Sequence, residues 1–180
     1  DITVDVAVTL FAAHGPSLTA TIQTADELRR RTVGDVVTYV INRNINFTNV
    51  CIKHCTFCAF SRDHREEEGY LLPLEEVVRR AKEAWEMGAT EVCIQAGLPP
   101  KLDGHYYIDL CRAIKQELPQ IHIHAFSPEE ILYGSTRSGI PIRPYLMALQ
   151  EAGLDTLPGT SAESLDDEIR DIISRGRITT

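Results

Sequence analysis

The hydrophobic rhythm of the chain changes near residue 40. Before it, apolar positions recur at helical spacing; after it, short apolar runs alternate with amphipathic ones. Thr3 is placed to cap a helix carrying Val4, Val8, Leu10 and Phe11, stopped by Gly15-Pro16. Ser17 opens a second helix through Leu18, Ile22, Ala25 and Leu28. After Val33-Gly34-Asp35 the run Val36 to Ile41 reads as β-rich.

From there strands and helices take turns. Arg43 to Asn49, Glu91 to Gln95 and Ile121 to Ala125 read as strands, with a fourth near Asp155-Thr156-Leu157. Pro73 opens a helix through Val77, Val78, Ala81, Ala84 and Trp85 that Gly88 closes, and Tyr106 to Leu118 forms the next. Ser127-Pro128-Glu129-Glu130 is an N-cap followed by proline at the first helical position. A further helix runs from about Pro144 to Gly153, and Leu165 to Ser174 forms the last. This alternation predicts right-handed βαβ units on a parallel sheet, an α/β fold of the partial (β/α) TIM-type barrel kind. Residues 1–40 are expected to be an N-terminal helical extension and residues 41–180 the barrel.

Period-two alternation sorts the strands into faces. Ile121, Ile123 and Ala125 share one side of the third strand, and His122, His124 and Phe126 the other. Helices cover the outside of a parallel barrel, so the aliphatic side should face outward and the histidines inward. By the same rule Asn44, Asn46 and Thr48 point inside on the first strand, and Cys93 falls with Gln95 on the second. Such an interior is a poor core and a good polar pocket. His122 and His124 are its candidate substrate contacts. Tyr106 and Tyr107 read as packing residues, His105 as a loop residue, and Asp166-Asp167-Glu168 as the favourable acidic start of a helix.

Composition narrows the setting. At 180 residues, the chain is large enough for one domain with a real core. Eighteen basic against 26 acidic residues leave a net charge of −8, which argues against a nucleic-acid partner. Arg29-Arg30-Arg31 sits beside Asp26 and Glu27 and reads as a solvated face. No apolar run approaches the ~18 residues of a membrane span. Five cysteines, three of them crowded, fit a reducing cytoplasmic setting better than disulfides.

Those three carry the chemistry. Cys51, Cys55 and Cys58 stand as C-x3-C-x2-C on the loop after the first strand, where barrels of this type place function. Three thiolates can each hold one iron of a [4Fe–4S] cluster, whose usual protein complement is four. The remaining iron then stays open to a small molecule. A Cys3His zinc site using His54 or His64 is the competing use of the same thiols, although the second paired hook of a zinc knuckle is missing. Cys93 and Cys111 read as core thiols.

The loop resembles that of the radical S-adenosylmethionine enzymes. The resemblance implies a [4Fe–4S] cluster on Cys51, Cys55 and Cys58, with S-adenosylmethionine chelating the open iron and releasing a 5′-deoxyadenosyl radical on reduction. Phe57 holds the place of the adenine neighbour. Gln95-Ala96-Gly97 falls where many relatives carry paired glycines that meet the methionine amino group; Ala96 replaces one, which leaves Gln95 and Gly97 as the cofactor-side residues. Glu163 matches a position that hydrogen-bonds the ribose. The family's cores usually hold more units than the four counted here. With no initial methionine and no strand after Arg177, the barrel is expected to be truncated after about four βα units.

Flanking strings narrow the resemblance. Asn42-Arg-Asn-Ile-Asn-Phe-Thr-Asn-Val-Cys51 with Cys58-Ala-Phe60 looks like the group that builds deazaflavin and menaquinone precursors. His122-Ile-His-Ala-Phe-Ser-Pro-Glu-Glu130, Leu157-Pro-Gly-Thr160 and Leu165-Asp-Asp-Glu-Ile169 look most like the second-subunit family of FO synthase. That family implies transfer of the 4-hydroxybenzyl group of L-tyrosine to 5-amino-6-(D-ribitylamino)uracil, on the way to coenzyme F-420. Hydrogen abstraction from tyrosine precedes Cα–Cβ cleavage; the benzyl fragment adds to C5 of the uracil and 2-iminoacetate leaves. It also implies an electron donor and a companion enzyme, FO synthase subunit 1. The rivals are the futalosine-pathway enzymes, cyclic dehypoxanthinylfutalosine synthase and aminofutalosine synthase, and a non-enzymatic zinc-binding module.

Overall fold

Residues 2–65, 67–159 and 164–180 are described by a computed structural model, in which the chain divides into two units, Asp1–Tyr39 and Val40–Thr180. The first unit holds helices α1 (Val4–Phe11) and α2 (Gly15–Val33). Thr3 caps α1 by accepting the Val6 N–H at 3.4 Å. Gly15 and Pro16 open α2 instead of merely ending α1, which stops at Phe11 with Ala12 as its cap. A first-turn proline surrenders no helical hydrogen bond, so the pair suits a start as well as a stop. The three arginines of α2 pair with Asp26, Glu27 and Asp35 on an exposed face.

The apolar run from Val36 is not a strand. It is exposed, and the sheet begins only at Asn42. β propensity without a neighbouring strand to pair with does not make a ladder.

The second unit alternates as expected: β1 (Asn42–Ile45), α3 (Leu74–Glu86), β2 (Glu91–Ile94), α4 (Tyr106–Glu117), β3 (His122–Ala125), α5 (Pro128–Ser138), α6 (Ile142–Glu151) and α7 (Asp167–Ile173). The three strands are parallel in the order β1-β2-β3. Consecutive neighbours with a helix between them are what right-handed βαβ units produce. The expected fourth strand is reduced to one parallel bridge, Thr156 to His124, continued by the Ala125 N–H donating to the Thr156 carbonyl at 3.0 Å.

The faces divide as the alternation predicts. Ile45, Val92, Ile94, Ile123 and Ala125 are buried in the core with Val77, Ala81 and Ala84 of α3 and Ile108, Cys111 and Ile114 of α4. On the other face, register sets Asn42 beside Glu91 and His122, and Asn44 beside Cys93 and His124. Alternation breaks after Ala125. Phe126 adopts φ 69°, fully buries, and meets Tyr107 edge-on with ring centroids 4.9 Å apart. It therefore leaves the histidine face for the core. Left-handed backbone at a non-glycine residue costs about 1–3 kcal/mol; the aromatic contact helps to offset it. No helix among the described residues is long and apolar enough to cross a membrane.

Candidate active site

The chain leaves β1 through a buried stretch, Phe47, Thr48 and Asn49, before the cysteines begin. The segment before α3 returns alongside it: Thr48 Oγ1 donates to the Tyr70 carbonyl at 2.6 Å, and Tyr70 N–H donates to Asn49 Oδ1 at 2.8 Å. Two bonds then pinch the base of the cysteine loop. Cys51 N–H donates to the Arg62 carbonyl at 3.1 Å, and Arg62 N–H to the Asn49 carbonyl at 2.8 Å.

Beyond the pinch, distant backbone steadies the loop. Ile52 N–H donates to the Leu98 carbonyl at 2.9 Å, and Thr56 N–H to the Ile173 carbonyl at 2.9 Å. Lys53 pairs with Glu129 at 3.0 Å and donates to the Gly176 carbonyl. Arg177 Nη1 lies 3.8 Å from Cys55 Sγ, and its Nε 3.7 Å from Glu129. Burial pushes the Cys55 thiol up, the Arg177 guanidinium pulls it down, and Cys51 and Cys58 add a smaller upward push.

All three thiols open on one cavity of about 440 Å3 at the carboxyl ends of the strands. Phe57 lines it too, with Asn44, Asn46, Gln95, Gly97, Glu129 and Glu130. The amides are tied together: Asn44 Nδ2 donates to Asn46 Oδ1 at 3.2 Å, and Asn46 Nδ2 to the Gln95 carbonyl at 2.5 Å. Gly97 has a steric reason to be glycine, since a Cβ there would collide with the Val50 carbonyl. Glu163 lies outside the described residues.

Neither His122 nor His124 lines this cavity. They stand lower along β3 and share one hydroxyl: Thr156 Oγ1 is 2.8 Å from His122 Nε2 and 2.7 Å from His124 Nδ1. His124 does occupy the strand row of Asn44, two strands from the cavity wall. Cys111 is fully buried and its thiol is pushed up to about 12 by burial, while Cys93 is half-buried on the polar face. His64 pairs with Asp63.

The donor set fits a cluster. Each thiolate of a cubane binds a different iron, so the sulfurs stand farther apart than around one zinc. All three thiols share the one cavity, as three cluster ligands must.

Glu130 was not legible as a site residue. It is 2% exposed, and its carboxylate accepts the Ser127 N–H and Oγ–H at 2.7 Å and the Ala96 N–H at 3.0 Å. Burial raises it to about 7 against those stabilising bonds. The Ser-Pro-Glu-Glu string gives the capping box that binds Ser127; nothing local gives the reach to Ala96. Lys53, Glu129 and Arg177 were missed for the same reason.

Residues 45–180 match the Radical SAM superfamily. The chain is 51% identical over 177 residues to an FO synthase of Streptomyces coelicolor, covering 98% of this chain and 20% of that protein. It is 53% identical over 171 residues to an FO synthase of Mycobacterium leprae, covering 95% and 20%. It is 46% identical over 186 residues to a 5-amino-6-(D-ribitylamino)uracil–L-tyrosine 4-hydroxyphenyl transferase of a Cyanothece species, covering 100% and 49%. The chain thus spans a fifth to a half of these relatives. Among solved structures, the FeFe-hydrogenase maturase HydG of Carboxydothermus hydrogenoformans superposes with TM-score 0.67 at 20% identity, covering 92% of this chain and 36% of that one. Methylornithine synthase (PylB) does so at 0.60 and 20%, covering 97% and 60%.

Proposed function

The chain belongs to the Radical SAM superfamily, and on that premise we propose that its cavity is the cofactor end of an FO-synthase-type transferase. Cys51, Cys55 and Cys58 would hold a [4Fe–4S] cluster and leave one iron for S-adenosylmethionine. When bound, the pair supplies a one-electron cleavage that yields a 5′-deoxyadenosyl radical. Phe57 packs beside the adenine, Gln95 and Gly97 bound the methionine end, and Glu163 is assigned to the ribose.

The substrates are L-tyrosine and 5-amino-6-(D-ribitylamino)uracil, joined through the 4-hydroxybenzyl group. The observation that carries the reading is a single cavity lined by three thiols and by tied amides. The thiols suit an open-iron cluster, and amides suit a ring rich in N–H and C=O groups. Thr156 fixes the two histidine rings on the same polar face, where they orient substrate. The buried β1 exit and the two bonds at the base of the loop hold the strand end beneath the thiols. An electron donor and a companion enzyme, FO synthase subunit 1, complete the scheme, and the family's (β/α) barrel is completed by further units.

Anaerobic reconstitution tests it. About four irons per chain, S-adenosylmethionine cleavage, and product from tyrosine plus the ribityl-diaminouracil are expected. Turnover of futalosine-type substrates would move the assignment to the menaquinone enzymes, and bound zinc with no iron would sink it.

A further inference from the structure

We propose that Glu130 is the positioning residue of this cavity: its carboxylate fastens the loop after β2 to the head of α5 and so sets the wall carrying Gln95 and Gly97. The inference rests on the cofactor reading of that wall.

A capping-box glutamate need only reach back to the amide of its own N-cap. Glu130 does this through Oε2, which accepts the Ser127 N–H and Oγ–H at 2.7 Å. Its other oxygen turns away from α5 and accepts the Ala96 N–H at 3.0 Å, 34 residues back in the chain. One carboxylate thus ties the ends of two adjacent strands.

These partners are all donors. The Ser127 hydroxyl accepts the Glu130 N–H at 3.2 Å, which leaves its own proton for the carboxylate. Both oxygens accept here, so the arrangement as it stands suits the ionised form; a protonated carboxyl would have to turn its O–H to the Ser127 hydroxyl, which has a second lone pair. The side chain is almost wholly buried.

From Ala96 the constraint runs on to the first thiol. Gly97 N–H donates to the Thr48 carbonyl at 3.0 Å, and its α-carbon lies against the Val50–Cys51 backbone. Releasing Ala96 frees the segment whose backbone packs on Cys51. The groups around the carboxylate pull both ways. Arg177, from the segment after α7, favours its charge. Burial pushes Cys93 on β2 and Tyr107 on α4 up, and that charge adds a smaller push to each. Burial leaves the carboxyl titrating at about 7, so its charge changes across the neutral range.

Hydrogen–deuterium exchange on the protein before iron loading reads the clamp directly, as protection factors for residues 95–98 at pH 6 and pH 8. The ionised fraction of a group titrating near 7 rises about tenfold over that interval. Protection in the wild type should rise by a similar factor, stay low at both pH values in Glu130→Gln, and recover its pH dependence in Glu130→Asp. After reconstitution, Glu130→Gln should bind as much iron as the wild type but need about tenfold more S-adenosylmethionine to shift the EPR spectrum of the reduced cluster. Wild-type residues 95–98 left unprotected at pH 8 overturn the clamp even where Glu130→Gln does not fold. Wild-type protection and cofactor demand in Glu130→Gln overturn it as well. A wild type that takes up no iron defeats the cofactor reading alone, because the exchange data still decide the clamp.

Discussion

Gly97 packs against the backbone between Val50 and Cys51: a Cβ on Gly97 would stand 2.8 Å from the Val50 carbonyl carbon and 3.1 Å from Cys51 Cβ. The first is nearer than packed carbons tolerate and is with backbone, which cannot rotate aside; the second is tighter than most packed contacts. The first thiol is therefore held in place by the absence of a side chain one strand away. Gly97→Ala should cost about 1–3 kcal/mol, a fall in Tm of roughly 2–4 °C per kcal/mol. It should also lower iron uptake, read as iron per chain after reconstitution.

The five cysteines should separate into two classes. Cys55→Ala removes a cavity thiol and should abolish the cluster spectrum, whereas Cys93→Ala should leave iron content unchanged. Cys111→Ser buries a hydroxyl in the apolar layer between sheet and helices, at a cost of about 1–3 kcal/mol. Its iron content should match the wild type. Loss of iron in Cys93→Ala would mean that the cluster draws on a thiol outside the loop.

Glu130 gives the fold a pH dependence of definite sign. Its folded value, about 7, lies above the ordinary 4.5, so the folded state binds the proton more tightly than the unfolded chain. The stabilisation is complete below about 4.5 and is lost as pH rises through 7. The gap corresponds to about 3 kcal/mol at most. Glu130→Gln should flatten the change in urea midpoint between pH 5 and pH 8. The charge that orders the loop after β2 is thus carried at a cost to global stability.

Thr156 couples the two histidines, so Thr156→Val should free both rings while keeping the side-chain volume. The loss from two hydrogen bonds is about 1–3 kcal/mol. If the pair orients substrate, this variant and His124→Ala should still cleave S-adenosylmethionine yet form less coupled product. The ratio of 5′-deoxyadenosine to product measures that uncoupling. An unchanged ratio in both variants would confine His122 and His124 to a structural role.

The order of elements was readable because each depends on a local rule. The spacing of Val77, Ala81 and Ala84 gave α3, the Ser127-Pro128 pair gave the start of α5, and alternation along Ile121–Ala125 gave the two faces of β3. The reading failed where a distant partner decides. Val36 to Ile41 carries strand residues but forms no ladder, meeting β2 only through the Ile41 carbonyl, and Phe126 leaves its face because φ turns positive against Tyr107. In the site, the three thiols were announced by spacing alone. The groups that hold them were not: Arg177 meets Cys55 across 122 positions and Glu130 meets Ala96 across 34.

That separation has a consequence for biogenesis. Thr56 leans on the Ile173 carbonyl and Lys53 on the Gly176 carbonyl, 117 and 123 residues further along. A ribosome releases the chain from its amino end, so the cysteine loop emerges long before the backbone that braces it. Contacts so remote in sequence also close late and slowly. Until they do, three thiols lie together on an unbraced loop, open to oxidation or to the wrong metal. A cluster placed on the braced loop would therefore need the carboxyl-terminal segment in position first.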